Sequence, residues 1–463
     1  MRIEKDTIGK KEVPEDAYYG VQTQRAIENF PVSGRTESPI LIDSYILLKK
    51  ACALTNIELE VLDEEKGKTI VKACDELLHG DHYNQFPIDV FQAGAGTSFN
   101  MNVNEVIANK ALEISGKERG DYDYIHPNDH VNRSQSSNDT FPTASHMAIV
   151  ESAEKLVDNL DSLAESFKTR GKEFEKIPKS GRTHLMDATP ITLGDEFYAY
   201  GSSIERAIES ISKAKDELLE IPIGGTATGS GTNTPEGYRE NIIDNISELT
   251  EKNYRPAKDS FELIHSRALM SKFSSILKNL AEELNRIAND LRLLSSGPKT
   301  GISEINLPKV QPGSSIMPGK INPVMVECLN MICFQIMGRD NTISLANQAG
   351  QMEMNVMTPV ITYNILDSIS LLNNYLPIFR KKCIEGIEAN EERCRQNYEN
   401  SPSLATILTP KIGYMKAAEI AEESLEKNIP VPELVIEKGI LTEQKSEELF
   451  DPKKVAKSKY KNK

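Results

Sequence analysis

The segment from Gly313 to Pro323 carries more chemically versatile side chains than any other part of the chain. It reads Gly-Ser-Ser-Ile-Met-Pro-Gly-Lys-Ile-Asn-Pro and contains two hydroxyls, one ammonium and one amide. Glycine lets a backbone approach a ligand closely, and Pro318 and Pro323 stiffen a segment that glycine alone would leave flexible. A plain turn between two helices has no need for these groups together. We therefore interpret the segment as a loop that surrounds a small anion.

Four further blocks combine hydroxyls and amides where the helical spacing of apolar residues is interrupted. They are residues 94–102, 134–139, 181–187 and 224–233. Each block also has a simple structural explanation. The polar side chains of 136–139 can cap a helix that starts near Pro142, and His184 can be a buried structural histidine. The glycine-rich fourth block lacks the G-x-x-x-x-G-K-[ST] order of a phosphate loop, which favours a tight turn.

Together the blocks describe a site for a small polar acid. Carboxylates accept hydrogen bonds from hydroxyls and amides, and a single lysine supplies charge without the arginine clusters that phosphates attract. His126 and His130, with Asp129 between them, have the residue types of metal ligands, but no third histidine or cysteine joins them in sequence. We expect neither a metal nor another cofactor.

Composition limits the classes of protein that remain. The 463 residues carry a net charge of -15, which argues against a general nucleic-acid binder. The six cysteines include no C-x-x-C pair, and the first residues lack the apolar stretch of a signal peptide. No apolar run reaches the roughly 18 residues of a membrane span. We expect a cytoplasmic protein that binds neither nucleic acid nor a membrane.

Long helices are predicted for the middle of the chain, where apolar residues recur at three- and four-residue steps. The pattern covers five stretches, namely 150–167, 204–219, 263–294, 326–348 and 356–389. The third extends over roughly 30 residues before Gly297-Pro298 stops it. A helix of that length is about 45 Å long, so we expect the five helices to pack side by side in a bundle.

The regions on either side of the bundle have shorter periodic stretches. The N-terminal one is richer in proline, glycine, asparagine and aspartate, which indicates a smaller mixed domain. After Asn390 the stretches shorten again. The sequence therefore predicts a mainly α fold with an N-terminal mixed domain at 1–140, a central bundle of about five long helices at 141–393 and a small helical C-terminal domain at 394–463.

The segment Gly313–Pro323 resembles the signature of the aspartase/fumarase superfamily, and blocks 94–102, 134–139 and 181–187 resemble its other signature segments in order and spacing. The similarity covers essentially the whole chain. It implies a homotetramer whose long helices form one shared bundle, with each active site built from three subunits. It also implies reversible elimination from a four-carbon dicarboxylate, which gives fumarate and either ammonia or water.

The same resemblance assigns the catalytic chemistry to particular residues. Ser314 is expected to remove the Cβ proton as an alkoxide, which needs stabilising groups because the pKa of a free serine hydroxyl is far too high. Backbone N–H groups of the loop, a nearby helix start and Lys320 are expected to stabilise it. His184 is expected to contact the leaving amine or hydroxyl, with Glu327 paired to it so that the ring is oriented.

The residues expected to bind the substrate have short polar side chains, joined by the ammonium of Lys320. Those for the α-carboxylate are Thr183, Lys320 and Asn322. Those for the β-carboxylate are Thr97, Ser136 and Ser137. Asn138 joins His184 at the leaving group, and Ser315 completes the set.

The preference between aspartate and malate rests on signals that point both ways. The segments that resemble aspartases are 18–22, 94–98 with Ala95, 303–308 and 322–325. The segments that resemble fumarases are 136–138, 189–190 and 126–129, the last without the arginine that fumarases carry three residues before the histidine. We expect deamination of L-aspartate, with the fumarate hydratase reaction as the alternative. A binding protein that had lost the chemistry would show gaps among the polar residues, and none appears.

Overall fold

A computed structural model of the chain describes residues 1–456. Residues 457–463, the end of the predicted C-terminal domain, lie outside the described residues. The described part is mainly α-helical, and its strands form only small two-stranded sheets. Among the described helices, none combines the length and the apolar character needed to cross a membrane.

The helices follow one another along the chain with few long interruptions. In order they are α1 (Val21–Asn29), α2 (Pro39–Glu58), α3 (Glu64–His79), α4 (Thr97–Ile114), α5 (Ser137–Glu173), α6 (Leu193–Glu217), α7 (Tyr238–Thr250), α8 (Ser260–His265), α9 (Ala268–Leu294), α10 (Val324–Gln348), α11 (Thr358–Lys382), α12 (Glu391–Glu399), α13 (Thr409–Ile412), α14 (Tyr414–Lys427), α15 (Val431–Glu437), α16 (Glu443–Leu449) and α17 (Pro452–Val455). The helices α5, α6, α9, α10 and α11 have 25 residues or more. They match the five predicted stretches, so the prediction of a mainly α fold with about five long helices is confirmed.

The strands of the described residues form four pairs. They are β1 (Arg2–Asp6) with β2 (Gly9–Val13), β3 (Pro178–Thr183) with β4 (Met186–Thr192), β5 (Glu220–Ile221) with β6 (Arg255–Pro256), and β7 (Ile305–Asn306) with β8 (Glu388–Ala389). Only the β5–β6 pair is parallel. In the β3–β4 hairpin Thr183 faces Met186, and the two turn residues, His184 and Leu185, have φ angles of 56° and 60°. Positive φ at both turn positions is typical of a type I′ turn, whose twist matches that of the strands.

The chain divides into two compact units, each assembled from several segments. The first comprises Met1–Val157, Glu209–Asn279 and Phe334–Asn373. The second comprises Asp158–Ile208, Leu280–Cys333 and the described residues from Asn374 onward. Buried aromatic rings pack edge to face in each, Tyr45 on Phe99 in the first and Phe174 on Phe197 in the second. The predicted domain boundaries near 140 and 393 stay a prediction.

One predicted helix is interrupted. The apolar pattern of 263–294 predicted a continuous helix, but α8 ends at His265 and α9 begins at Ala268, so this part of the prediction is wrong. Arg267 lies at the break and is 1% exposed. Its Nη1 donates to the carbonyls of Leu263 and Ser266, each at 2.7 Å. The guanidinium thus satisfies carbonyls at the end of α8 that a continuing helix would have satisfied.

Arg267 also connects the break to the start of α11, because its Nε donates to Thr358 Oγ1 at 2.8 Å. No carboxylate accepts a hydrogen bond from it in the described structure, and burial lowers the pKa of Arg267 to about 10. The residue therefore keeps its charge at neutral pH while it is held by neutral oxygens. It stabilises the helix break through geometry and not through an ion pair.

Replacing Arg267 should destabilise the fold. In Arg267→Ala, the buried carbonyl of Leu263, the partly buried carbonyl of Ser266 and the hydroxyl of Thr358 lose their donor, so we expect the free energy of unfolding to fall by about 3 kcal/mol. Arg267→Lys should recover little of this, since an ammonium lacks the planar fork that reaches all three oxygens. Urea denaturation followed by circular dichroism measures both effects. A loss below about 1 kcal/mol in the alanine variant would contradict this account.

Candidate active site

The start of α4 is set by a tight turn that only glycine can complete. Thr97 is the first residue of α4 and follows Ala95 and Gly96, which have φ angles of 60° and 71°. A Cβ atom on Gly96 would lie 2.0 Å from a ring carbon of Phe141, a residue of α5. The N–H of Ala95 donates to the carbonyl of Val356 at 2.9 Å and holds the turn in place. The missing side chain of Gly96 therefore lets the start of α4 approach α5.

The start of α5 has reciprocal caps. Ser136 Oγ accepts the N–H of Asn138 at 3.2 Å, and Asp139 Oδ1 accepts the N–H of Ser136 at 3.0 Å. This is the arrangement of a capping box, with aspartate in the place of the usual glutamate. The sequence predicted such a cap for a helix starting near Pro142. The helix instead begins at Ser137 and contains Pro142, so the predicted starting point is wrong, because the box satisfies the first N–H groups earlier in the chain.

The two helix starts bring polar side chains together. Thr97 Oγ1 and Ser137 Oγ are 3.1 Å apart, each on the first residue of its helix. The N-terminal end of a helix carries a partial positive charge and favours anions. Two such ends that share a pair of hydroxyls are suited to holding a carboxylate. The structure thus groups Thr97 with Ser136, Ser137 and Asn138, the residues expected at the β-carboxylate and the leaving group.

Asp139 connects this corner to the glycine-rich block 224–233. Its side chain is fully buried, and Oδ2 accepts the N–H groups of Gly224 at 3.2 Å and Thr226 at 2.8 Å. Asn138 Nδ2 donates to the carbonyl of Ala227 at 2.8 Å. The block folds against the start of α5 through these contacts. The sequence predicted a tight turn there but not its attachment to Asp139.

Lys49 of α2 is a functional candidate that sequence reasoning missed. It is fully buried, and its Nζ donates to Asn100 Oδ1 at 2.8 Å, Asn132 Oδ1 at 2.9 Å and Gln135 Oε1 at 2.8 Å. Burial lowers the pKa of Lys49 to about 8. Its ammonium holds the segment that leads into Ser136. The sequence feature that could have identified Lys49 is the presence of a lysine among the apolar residues of a helix.

The second unit carries the remaining expected residues. Thr183 and His184 lie exposed at the end of the β3–β4 hairpin, and Glu327 lies in the first turn of α10. The side chain of His184 forms no hydrogen bond with any described residue, and neither does that of Glu327. The expected pairing of His184 with Glu327 therefore stays a prediction.

The loop at 313–323 closes on itself. The N–H of Gly313 donates to the carbonyl of Lys320 at 2.9 Å, and Asn322 Nδ2 donates to the carbonyl of Gly313 at 2.7 Å. A Cβ on Gly313 would lie 2.6 Å from the backbone nitrogen of Asn322 and 2.6 Å from the carbonyl oxygen of Lys320. Glycine is therefore required here for a close backbone approach. Ser315 and the side chain of Lys320 are exposed and form no hydrogen bond in the described structure.

Ser314 directly follows Gly313 in this loop, and its side chain is half-buried. Its Oγ accepts the N–H of Ile316 at 3.2 Å and the N–H of Met317 at 2.9 Å. Two backbone donors aimed at one oxygen stabilise negative charge on it, as in an oxyanion site. The expectation that loop N–H groups stabilise an alkoxide at Ser314 stays a prediction, and the N–H groups of Ile316 and Met317 are the candidate donors.

The histidines considered as metal ligands have a structural use. His126 Nδ1 accepts the N–H groups of Asn128 at 3.1 Å and Asp129 at 3.2 Å, and His130 Nδ1 accepts the N–H of His126 at 2.8 Å. Both rings therefore cap one short turn. Within the described residues, no group of three or more histidine, cysteine, aspartate or glutamate side chains is arranged to hold a metal ion.

The pKa of Asp139 generates a prediction about stability. Burial raises this pKa from 3.8 to about 6, although the N–H groups of Ser136, Thr226 and Gly224 and the charge of Lys49 oppose the shift. The folded state therefore binds more protons than the unfolded state between about pH 4 and pH 6. The stabilising contribution of the protonated group is complete below about pH 4 and is lost as the pH rises to about 6.

Asp139→Asn should remove this pH dependence. The difference in free energy of unfolding, wild type minus variant, should fall by up to about 3 kcal/mol between pH 4 and pH 6 and stay constant above that. Denaturation curves at several pH values measure it. Asp63→Asn is the matched control, since Asp63 caps α3 at an exposed position. A pH-independent difference for the Asp139 variant would show that its carboxyl does not titrate in this range.

Known proteins are similar to the chain over most of its length. A family model described as Lyase matches residues 9–338, and one described as Fumarase C C-terminus matches residues 404–457. Proteins named aspartate ammonia-lyase are 46% identical in a Bacillus species, over 98% of this chain and 97% of theirs, and 43% identical in Escherichia coli K12, over 100% of this chain and 98% of theirs.

Solved structures extend the similarity to the fold. A fumarate lyase:delta crystallin from Brucella melitensis, bound to cobalt, superposes with a TM-score of 0.96 at 44% identity and covers 99% of this chain and 100% of its own. A class II fumarase from Schistosoma mansoni gives 0.94 at 37% identity, over 98% of this chain and 99% of its own. The signature segments, the helical architecture and these relatives agree over nearly the full length. The chain belongs to the aspartase/fumarase superfamily of lyases.

Proposed function

We propose that the chain catalyses the reversible deamination of L-aspartate to fumarate and ammonia. The observation that carries the proposal is the hydroxyl of Ser314, which accepts two backbone N–H groups in the signature loop of a lyase family. Relatives named aspartate ammonia-lyase at 43–46% identity favour this reaction over the fumarate hydratase alternative. Ala95, an aspartase-like residue in the sequence, lies in the turn directly before Thr97.

The first chemical step is removal of a proton from Cβ of aspartate by the Ser314 alkoxide. The N–H groups of Ile316 and Met317 lower the cost of the negative charge on Oγ, and the exposed ammonium of Lys320 in the same loop adds positive charge. The electron pair left on Cβ delocalises into the adjacent β-carboxylate, which becomes a doubly charged aci-carboxylate. General-base catalysis of this kind accelerates a reaction by roughly 10²- to 10⁴-fold.

The aci-carboxylate needs hydrogen-bond donors at the place where its charge develops. The hydroxyls of Thr97, Ser136 and Ser137 at two helix starts supply them, and one such donor is worth roughly 3 kcal/mol in comparable sites. The electron pair then returns to form the Cα–Cβ double bond, and the C–N bond breaks. Asn138 and His184 contact the departing amine, which leaves as ammonia.

The α-carboxylate does not change its charge during the reaction, so its ligands serve to orient the substrate. Thr183, Lys320 and Asn322 have this role, with Ser315 beside them. Asn322 already donates its amide to Gly313, which leaves its Oδ1 for other contacts. Lys320 is the cation of this set, and its side chain is free of partners within the described chain.

A homotetramer is the proposed assembly, with each active site built from three subunits. The helix α10 supports it, because its only charged residues are Glu327, Arg339 and Asp340. Met331, Phe334 and Leu345 follow one face of this helix and are 63%, 57% and 55% exposed. A helix that is apolar on all sides is normally buried, so this face requires a cover.

The cytoplasm remains the proposed compartment. All six cysteines are free thiols in the structure, and five of them are buried. Burial raises the pKa of Cys52 and of Cys333 to about 12, so these thiols stay protonated at neutral pH and react poorly. Free thiols persist most readily in a reducing compartment, which supports the assignment.

Assays with the purified protein test the reaction. Incubation with L-aspartate should produce fumarate, seen by its ultraviolet absorbance, and incubation with L-malate should produce little. Ser314→Ala should lower kcat with L-aspartate by at least about 100-fold, because it removes the base and leaves the binding residues in place.

Ser115→Ala serves as the control for this variant. Ser115 is the C-terminal cap of α4 and makes no side-chain hydrogen bond in the described structure, so its removal should change kcat by less than twofold. Fumarate from malate but not from aspartate would overturn the proposed reaction. Turnover near that of the wild type in Ser314→Ala would remove this residue from the role of base.

The assembly is tested by charging the exposed face of α10. Phe334→Lys should break the tetramer into smaller species and reduce activity, because burying an unpaired ammonium is strongly unfavourable. Tyr414→Lys is the control, since Tyr414 is 75% exposed on α14. Size-exclusion chromatography with light scattering gives the masses. A tetramer of unchanged stability in Phe334→Lys would place the interface elsewhere.

A further inference from the structure

A buried charge cluster lies at the base of the β3–β4 hairpin. Glu304 is fully buried, and its Oε1 accepts Arg182 Nη2 at 2.8 Å and Asn397 Nδ2 at 2.9 Å. Its Oε2 accepts Arg182 Nη1 at 3.0 Å and lies 3.1 Å from Lys179 Nζ. Lys179 is itself 2% exposed and donates to Glu196 Oε2 at 2.8 Å. Both carboxylate oxygens of Glu304 are therefore fully occupied.

The cluster contains two carboxylates and two cations, so its net charge is zero. Burial favours the neutral acid, but the hydrogen bond from Arg182, the charge of Lys179 and the hydrogen bond from Asn397 outweigh it and lower the pKa of Glu304. The carboxylate is ionised at neutral pH. A balanced cluster of this kind adds little long-range field, so its effect is to fix geometry.

One end of the cluster reaches the hairpin turn. Arg182 directly precedes Thr183 and His184, two of the residues of the second unit that are expected to contact the substrate. Its two Nη atoms bind both oxygens of Glu304 in a fork, which restricts rotation as well as distance. Thr183 is the last residue of β3, and the two turn residues that follow it have positive φ. The position of the Thr183 backbone therefore depends on how Arg182, the residue before it, is held.

The other end of the cluster reaches the segment that leads into the Ser314 loop. The N–H of Glu304 donates to the carbonyl of Leu294 at 2.8 Å, and its carbonyl accepts the N–H of Asn390 at 2.9 Å. The short strand β7 follows at once and pairs with β8. Glu304 is thus held by its backbone and its side chain, and the chain continues from this fixed point into Gly313.

We propose that Glu304 is a positioning residue, whose fork with Arg182 ties the hairpin that carries Thr183 and His184 to the segment that leads into the Ser314 loop. The proposal rests on the proposed ammonia-lyase function for its kinetic readout only. It assigns a structural role to the segment 303–308, whose sequence resembles that of aspartases. Glu304 itself contacts no substrate and acts through the residues at both ends.

Kinetics of the full-length enzyme provide the first test. Glu304→Gln removes the carboxylate that pairs with Arg182 and leaves Lys179 with Glu196 alone, so kcat/KM for L-aspartate should fall about 100-fold, with KM raised and kcat lowered. Rates are normalised to folded protein measured by circular dichroism. Glu4→Gln is the matched control, since Glu4 is a carboxylate of 5% exposure paired with Arg2 at 2.7 Å, and it should stay within threefold of the wild type.

The second test does not depend on catalysis. The chain contains no tryptophan, so Ile316→Trp, at a loop position that is 83% exposed, introduces a single indole that can be excited selectively over the 15 tyrosines. The fluorescence anisotropy of the introduced indole should be lower in the Glu304→Gln background than in the wild-type or Glu4→Gln background. Equal anisotropy in all three backgrounds would overturn the positioning role. Absence of any L-aspartate turnover in the wild type would overturn the proposed function and leave this comparison valid.

A milder variant covers the case in which Glu304→Gln does not fold. Asn397→Ala removes one donor to Glu304 and keeps both ion pairs, so kcat/KM should fall about 3- to 10-fold and the anisotropy of the loop fluorophore should decrease. A normal kcat/KM together with unchanged anisotropy in Asn397→Ala would overturn the proposal. A lower yield of folded protein with normal kcat and KM would also overturn the proposal.

Discussion

Gly96 lets the backbone at the start of α4 lie against the ring of Phe141 in α5, and no other residue leaves room for that contact. The polar corner of the first unit depends on this approach, because it puts the first residues of two long helices side by side. Thr97 and Ser137 then share a hydrogen bond at two positively charged helix ends. Bulk at Gly96 would separate these ends, whatever the hydroxyls themselves could bind.

Buried ionisable groups hold the irregular segments around this corner and around the hairpin. Lys49 binds three amide oxygens, Asp139 binds three backbone N–H groups, and Glu304 binds a guanidinium, an ammonium and an amide. An apolar side chain could fill the same volume but could not satisfy these polar groups. Each group is costly to bury, and the cost is offset by several directed contacts. Loops that carry catalytic residues gain a defined position in this way.

The long helices have two kinds of surface. The helix α9 has a single buried stripe through Phe273, Leu277, Leu280 and Leu284, with charged residues on its outer side. The helix α10 has almost no charge, and large apolar residues remain exposed on its outer face. The apolar face of α9 is buried within one chain. The apolar face of α10 is buried only when another surface covers it. In the proposed tetramer another subunit covers this face, which explains why Phe334, exposed in the single chain, is apolar.

The sequence by itself determined the five long helices, because a repeat of 3.6 residues in apolar side chains is a local property of the chain. It also predicted the polar residues of the site, through their types and their likeness to one family. Only the tertiary structure decided where α5 begins, that Arg267 interrupts the third predicted helix, and that Lys49 and Glu304 support the loops. Apart from the start of α5, which a local capping box sets, these features arise from contacts between residues far apart in sequence, such as Arg267 with Thr358 and Lys49 with Asn132, and no local pattern encodes such contacts.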